Sequence, residues 1–253
     1  VTAKKMELTS VEGNRNVKSD VGVILPTYCE AENITKLIDE IESLDLNISI
    51  LLIDDSSPDK TASLVRSLQK KYDNIMICVR PRKSGLGTAI TDGFKIFLSL
   101  KNPPKYVITM DADYSHSPKD IIRLVSKAKT ANGIVIGSRY CPGGGAVNWS
   151  ISRNLISRVA NLMSSALIAT NIHDYTSGFR CYSTDLIQNM IEDLHSETYE
   201  IQEETIRQAS IKGFDVKEVP MIFVNRKKGK SKLSEKEIKE FLSYTFNVLV
   251  SRK

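Results

Sequence analysis

Along the first half of the chain, short runs of consecutive apolar residues alternate with stretches whose apolar positions recur every three or four residues. The run 21–25 (VGVIL) predicts a buried strand stopped by Pro26, and residues 31–44 place Ile34, Leu37, Ile38, Ile41 and Leu44 at helical spacing. The run 48–53 predicts a second strand, which ends in Asp54-Asp55-Ser56-Ser57-Pro58. Asp59 is placed to cap the next helix, whose apolar face holds Ala62, Val65 and Leu68 with Leu64 beside it. A third strand over 75–79, a glycine-containing turn at 84–87, a helix over 88–100 and a fourth strand over 106–110 follow. Residues 134–136 add a fifth strand.

Strands that read as continuous apolar runs, joined by helices, belong to a parallel sheet covered on both faces. The pattern therefore predicts an α/β fold with a mostly parallel central sheet flanked by helices. In such folds ligands bind at the carboxyl ends of strands. The polar groups Thr27-Tyr28-Cys29-Glu30, Asp54-Asp55 and Asp111-Ala112-Asp113 each lie at or just past a strand end. After Gly137 the pattern is irregular, with three glycines at 143–145 and a long helical region over about 153–169. Short edge strands are expected over 216–219 and 221–224 around Pro220, then a basic loop and a closing helix from about Ser234. No internal repeat or low-complexity linker interrupts the chain, so it divides into a polar extension (1–20), one domain (21–225) and a basic segment (226–253).

The 253 residues are 41% hydrophobic and 26% charged, which excludes a disordered, collagen-like or multi-span membrane chain. The net charge of +5 is uneven: residues 212–253 hold eleven Lys/Arg against five Asp/Glu, so the body is nearly neutral and the C-terminal sixth asks for a local anionic partner. Cys29, Cys78, Cys141 and Cys181 are widely spaced, without metal-type pairing, and read as free thiols of a reducing compartment. The N-terminus is polar and has no signal-peptide core. Two uncharged runs, 159–172 and 241–251, are too short to span a bilayer and read as buried or interfacial helices.

Two carboxylates one residue apart at a strand end, Asp111 and Asp113, can share a hard divalent cation that also holds diphosphate oxygens. Most such triplets are capping or solvated loop acids, and the position after VITM raises this one above them. Asp54-Asp55 reads equally well as an Asx-turn. The Gly85-Leu86-Gly87 turn lacks the residues of a P-loop or dinucleotide fingerprint and reads as a turn before a helix. The segment 226–232 has five basic residues in seven. Ile238, Phe241, Leu242, Thr245 and Leu249 form a stripe on the helix after it, either core packing or a membrane-interface element. No aromatic-interleaved basic surface supports nucleic-acid binding. His116, His173 and His195 form no recognisable catalytic pair, and hydrolase signatures are absent.

Eight motifs in order carry a resemblance that runs from about residue 21 to 242: LPTYCEAENI, LLIDDSSPDKT, GLGTAITDGF, MDADYSHSP, GSRYCPGGG, RNLISRVANLMSS, TSGFRCY and EVPMIFVNRKKGKSKL. Together they resemble the family 2 glycosyltransferases of GT-A (Rossmann-like) fold, in particular the dolichyl- and polyprenyl-phosphate mannosyltransferases. The resemblance implies that Pro26, Tyr28, Glu30, Ile53 and Asp55 hold the donor nucleotide. It implies that Asp111, Ala112 and Asp113 contact its diphosphate, with Asp111 and Asp113 holding Mg²⁺ or Mn²⁺. Arg139 and Arg153 would act with Asp113 as the catalytic set and receive phosphate, and Arg226 and Lys232 would close on the site. Some relatives carry a metal-binding Gln where this chain has Ser115.

The implied reaction is inverting transfer of mannose from GDP-mannose to a polyprenyl (dolichyl) phosphate at the cytoplasmic face of a membrane. That membrane would be the endoplasmic reticulum in a eukaryote and the plasma membrane in a prokaryote. Relatives either continue into transmembrane helices or rely on small membrane-bound partner subunits, and both remain open for this chain. Two other readings stand beside it: the same reaction with UDP-glucose as donor, and a non-catalytic nucleotide-binding membrane subunit, which the carboxylate pair disfavours.

Overall fold

The computed structural model describes residues 10–168 and 170–225. The elements in chain order are β1 (Val11–Gly13), β2 (Val21–Thr27), α1 (Ile34–Glu42), β3 (Ile48–Asp54), α2 (Thr61–Leu68) and β4 (Ile75–Val79). Next come α3 (Leu86–Leu98), β5 (Tyr106–Thr109), α4 (Asp120–Ala128), β6 (Gly133–Ser138), β7 (Gly145–Val147) and α5 (Ile151–Leu167). The last are β8 (Arg180–Ser183), α6 (Thr184–Met190), α7 (Ile201–Ile211), β9 (Asp215–Pro220) and β10 (Ile222–Val224). The expected basic loop and closing helix lie outside the described residues.

Eight strands form one sheet in the order β1-β4-β3-β2-β5-β8-β6-β9, and β10 pairs with β7 in a separate two-stranded ladder. The β4-β3-β2-β5 block is parallel, as the continuous apolar runs predict, whereas β8 runs antiparallel to both β5 and β6. The polar lead-in supplies β1, antiparallel on β4. Successive residues of β2 alternate between two cores: Ile24 joins Phe94, Phe97 and Tyr182 under α3, while Val23 and Leu25 join the buried faces of α1 and α4.

Pro26 does not stop β2, which runs on to Thr27 and pairs Pro26 with Ile53. The ladder explains why. The carbonyl of Ile24 accepts from Met110 on the β5 side, and Pro26, two residues on, faces that same side just past the last β2–β5 pair, Ile24 with Thr109. Its missing N–H falls where no partner strand remains.

Candidate active site

The parallel order reverses between β2 and β5: β3 and β4 extend to one side of β2, and β5 lies on the other. A crevice at the carboxyl ends of such a pair is where open α/β sheets bind ligands. Here it holds about 690 Å³ of space, part of it open to solvent. Pro26, Tyr28, Glu30, Ile53, Asp55, Asp111, Ala112 and Asp113 all line it. The structure thus brings together every site residue expected on the first five strands.

Past β2 the chain turns sharply, with Cys29 left-handed (φ 58°). The amide of Glu30 donates to Thr61 Oγ1 at 3.0 Å and its Oε2 accepts from Asn33 Nδ2 at 3.0 Å, which fixes the carboxylate beside Tyr28. The two aspartates after β3 divide the work that the sequence left undecided. Asp54 is buried and builds the turn, accepting from the Ser57 amide at 2.9 Å, the Ser57 hydroxyl at 2.6 Å and Thr27 Oγ1 at 2.9 Å. Asp55 faces the crevice and accepts from Arg80 Nε at 2.6 Å. Arg80 is itself buried and also donates to Thr88 Oγ1 and to the Gly85 carbonyl, so one guanidinium ties Asp55 to the turn before α3.

That turn does more than start a helix, because Gly85 and Leu86 line the crevice. Gly85 has φ +99°, and a Cβ there would lie 2.3 Å from the Glu197 carbonyl oxygen. A Cβ on Gly87 would lie 2.3 Å from the Ser196 carbonyl oxygen, and the Gly87 amide donates to Glu197 O at 2.9 Å. The glycines let the segment before α7 lie directly on the turn, and Tyr199 of that segment closes one wall.

After β5, Asp111 is partly exposed and Asp113 is buried, accepting from the Ser115 amide at 2.9 Å. His116 is buried and stacks on Phe179 at 4.9 Å. Its Nδ1 accepts from the Asp111 amide at 3.2 Å, so a neutral ring carries its proton on Nε2, 4.0 Å from Asp111 Oδ2. Burial lowers its pKa, against the pull of Asp111 and Asp113, and keeps it neutral near pH 7.

Among the described residues no group of three or more His, Cys, Asp or Glu side chains is arranged to hold a metal. The donors that are present nonetheless suit a hard divalent cation: two carboxylates on the crevice, and the Ser115 hydroxyl, buried and without a hydrogen-bond partner.

Arg139 and Arg153 lie beyond the residues that line this crevice. Arg139 is buried and clamped by Asp174, with Nε to Oδ2 at 2.8 Å and Nη2 to Oδ1 at 2.7 Å. Arg153, in the first turn of α5, stacks over Trp149 at 4.4 Å and donates to Asn225 Oδ1 at 2.9 Å. Arg226 and Lys232 fall outside the described residues.

Sequence reasoning missed four residues. Lys83 lines the crevice, 5.4 Å above the Tyr28 ring, and it is the one cation among the described lining residues. Tyr199 and His116 are the second and third; His116 had a signal in its place five residues after Asp111. The fourth, Gln202, is buried with neither side-chain polar atom hydrogen-bonded. A methyl on Gly178 would meet both Gln202 Nε2 at 3.5 Å and Asp111 Oδ1 at 3.7 Å, which places the amide near the carboxylate pair.

The family model "Glycosyl transferase family 2" matches residues 22–191. The chain is 36% identical over 220 residues to the polyprenol monophosphomannose synthase of Mycolicibacterium smegmatis, covering 86% of this chain and 82% of that protein. It is 33% identical over 212 residues to the undecaprenyl-phosphate mannosyltransferase of Micrococcus luteus, covering 83% and 86%. Among solved structures, glucosyl-3-phosphoglycerate synthase of Mycobacterium tuberculosis, in complex with Mn²⁺, UDP and glucosyl-3-phosphoglycerate, superposes with a TM-score of 0.64 at 17% identity, over 92% of this chain and 80% of that one. A mannosyltransferase of Pyrobaculum calidifontis, in complex with GDP-mannose and Mn²⁺, gives 0.58 at 16% identity, over 94% and 67%. The fold, the motifs in order and the match over residues 22–191 agree: this chain belongs to glycosyl transferase family 2.

Proposed function

We propose that the protein transfers mannose from GDP-mannose to a polyprenyl phosphate at a membrane surface, with inversion at the sugar carbon and with Mg²⁺ or Mn²⁺ as cofactor. The observation that carries the reading is the convergence of Tyr28, Glu30, Asp55, Asp111 and Asp113 on one crevice at the switch point of the sheet. The names of the two relatives at 36% and 33% identity support the sugar and the acceptor class.

In this reading Tyr28, Glu30 and Asp55 hold the nucleoside, with Asp55 oriented by Arg80. Asp111 and Asp113 would hold the divalent ion, which would supply the positive charge that a leaving diphosphate needs. Lys83 adds a positive charge to the lining of the same crevice, above the Tyr28 ring. The acceptor is a phosphate monoester with a second pKa near about 6, already mostly ionised at neutral pH, so no strong general base is required. What the protein supplies is cations that bring two anions together. Arg153 presents one from the first turn of α5, and Arg226 and Lys232 add two more. Arg139, which shares the Trp149 ring with Arg153, is the other phosphate-receiving arginine of this reading, its guanidinium oriented by Asp174.

The test is a donor screen with purified protein, a short-chain polyprenyl phosphate and Mg²⁺ or Mn²⁺. GDP release from GDP-mannose only when the lipid phosphate is present is the expected result. UDP release from UDP-glucose instead would replace the donor half of the reading. No transfer from any nucleotide sugar would leave the non-catalytic alternative standing.

A further inference from the structure

Gln202, in the first turn of α7, is 2% exposed, and neither its Oε1 nor its Nε2 has a hydrogen-bond partner among the described residues. A folded chain rarely leaves a buried amide unpaired without a use for it. The backbone around this one is held firmly. Arg180, fully buried, donates to the carbonyls of Gln202 at 2.6 Å, Tyr175 at 2.8 Å and Ser177 at 2.6 Å. One guanidinium thus fastens the start of α7 to the segment before Gly178. Thr109 Oγ1 donates to the Gly178 carbonyl at 2.8 Å and ties the same segment to the end of β5, just before Asp111.

Gly178 adjoins both the amide and the metal-type carboxylates. A Cβ there would lie 3.5 Å from Gln202 Nε2 and 3.7 Å from Asp111 Oδ1, both ordinary contact distances. Its φ is not left-handed. Neither conformation nor packing therefore requires glycine at this position. What the missing side chain leaves open is a space in reach of both the amide and Asp111.

We infer that the Gln202 amide hydrogen-bonds a hydroxyl of the sugar carried by the nucleotide donor, across the space beside Gly178. The inference rests on the nucleotide-sugar reading above and names a residue that selects the sugar. The sugar is bonded to the second phosphate, so it lies next to the carboxylates proposed to hold the diphosphate's cation. Phosphate oxygens are matched by cations, and an uncharged amide adds little to them. A sugar hydroxyl both donates and accepts, and the amide has an acceptor oxygen and an NH₂ group to meet it. A neutral group also stands beside Asp111 and Asp113 without repelling them.

The experiment is titration calorimetry on the full chain with Mn²⁺, comparing GDP-mannose with GDP and UDP-glucose with UDP. Gln202→Leu should weaken binding of the sugar nucleotide roughly 3- to 10-fold, the worth of one hydrogen bond, and leave the bare nucleoside diphosphate unchanged. Gly178→Ala, whose methyl fits at contact distance but fills the shared space, should do the same without lowering the unfolding midpoint. Equal losses for the sugar nucleotide and the bare nucleotide would put the amide on the diphosphate or its metal and overturn the inference. Unchanged affinities in Gln202→Leu would make it a core residue and overturn it too, as would a wild-type chain that binds none of these ligands. Turnover with a short polyprenyl phosphate separates the two claims. If wild type binds a sugar nucleotide but transfers nothing, the functional reading fails and the calorimetry still decides the role of Gln202.

Discussion

Asp174→Asn tests whether the Arg139 clamp is part of the frame that holds the site. Asp174 is fully buried and accepts from three Arg139 donors, the amide at 2.9 Å, Nε at 2.8 Å and Nη2 at 2.7 Å. It also accepts from the amides of Thr176 at 3.2 Å and Ser177 at 3.1 Å. Asparagine keeps the shape but turns one acceptor oxygen into a donor facing other donors, and it leaves a buried guanidinium without its counter-charge. Breaking a buried pair in this way costs roughly 3–5 kcal/mol, a large share of a typical total stability of about 5–15 kcal/mol. Equilibrium unfolding in urea at pH 7 measures it directly. Arg139→Met should cost less, because the carboxylate keeps its amide donors, and the double variant should fall short of the sum by at least about 1 kcal/mol. Burial alone would raise the Asp174 pKa, but the Arg139 charge and hydrogen bonds outweigh it and hold the carboxyl below the ordinary aspartate value. A lowered folded pKa stabilises above the unfolded pKa and is lost as pH falls through the folded one. The gap between wild type and Asp174→Asn should therefore stay constant from neutral pH down to about 4 and close only below that. A loss under about 1 kcal/mol at pH 7, or strict additivity in the double variant, would refute the argument.

Other outcomes follow from the same geometry. Asp113→Asn is expected to abolish metal-dependent transfer while the unfolding midpoint shifts little; full activity would remove the metal assignment. Arg80→Met strips Asp55 of its 2.6 Å partner and should raise the donor KM about tenfold or more, roughly the worth of one charge-assisted hydrogen bond, with a smaller effect on kcat. Gly85→Ala puts a methyl 2.3 Å from the Glu197 carbonyl at a φ of +99° and should destabilise the fold by about 1–3 kcal/mol, read by thermal unfolding. Gln202→Leu removes two buried, unpaired polar atoms; the expected result is a gain of roughly 1 kcal/mol in stability together with slower transfer, and unchanged kinetics would count Gln202 as a core residue only.

The parallel half of the fold was legible because each strand buries both faces and so leaves a continuous apolar run, as in 48–53 (ISILLI). The site followed from it, since strand ends mark where ligands bind, and all eight residues placed there by motif line one crevice. Short strands made mostly of polar or small residues gave no such signal. β1 (VEG), β7 (GAV) and β8 (RCYS) are held by partners far along the chain, and β8 reverses direction between β5 and β6. The same limit hid the role of Arg80. Nothing near it in sequence shows that its guanidinium is buried and bonded to residues 5 to 25 positions away, at Gly85 and Asp55.

Helix α5 marks the deeper limit. Periodicity reports that a helix has an apolar and a polar face, and base rates then assign the apolar one to the core. For α1 that assignment holds, with Ile34, Leu37, Ile38 and Ile41 fully buried. For α5 it inverts, because the neighbours it packs against offer hydrogen-bonding groups: the Tyr175 amide, the Tyr140 hydroxyl and Glu203. Asn161, Ser157 and Ser164 answer those groups, and the apolar stripe is left facing out. The direction of an amphipathic helix is thus set by its partners, which in this protein come from residues 140, 175 and 203, on both sides of the helix in sequence. The exposed stripe of Ile151, Leu155, Ile156 and Leu162 is therefore the remainder of a helix whose inward face is spent on hydrogen bonds, which no periodicity count along the chain can foresee.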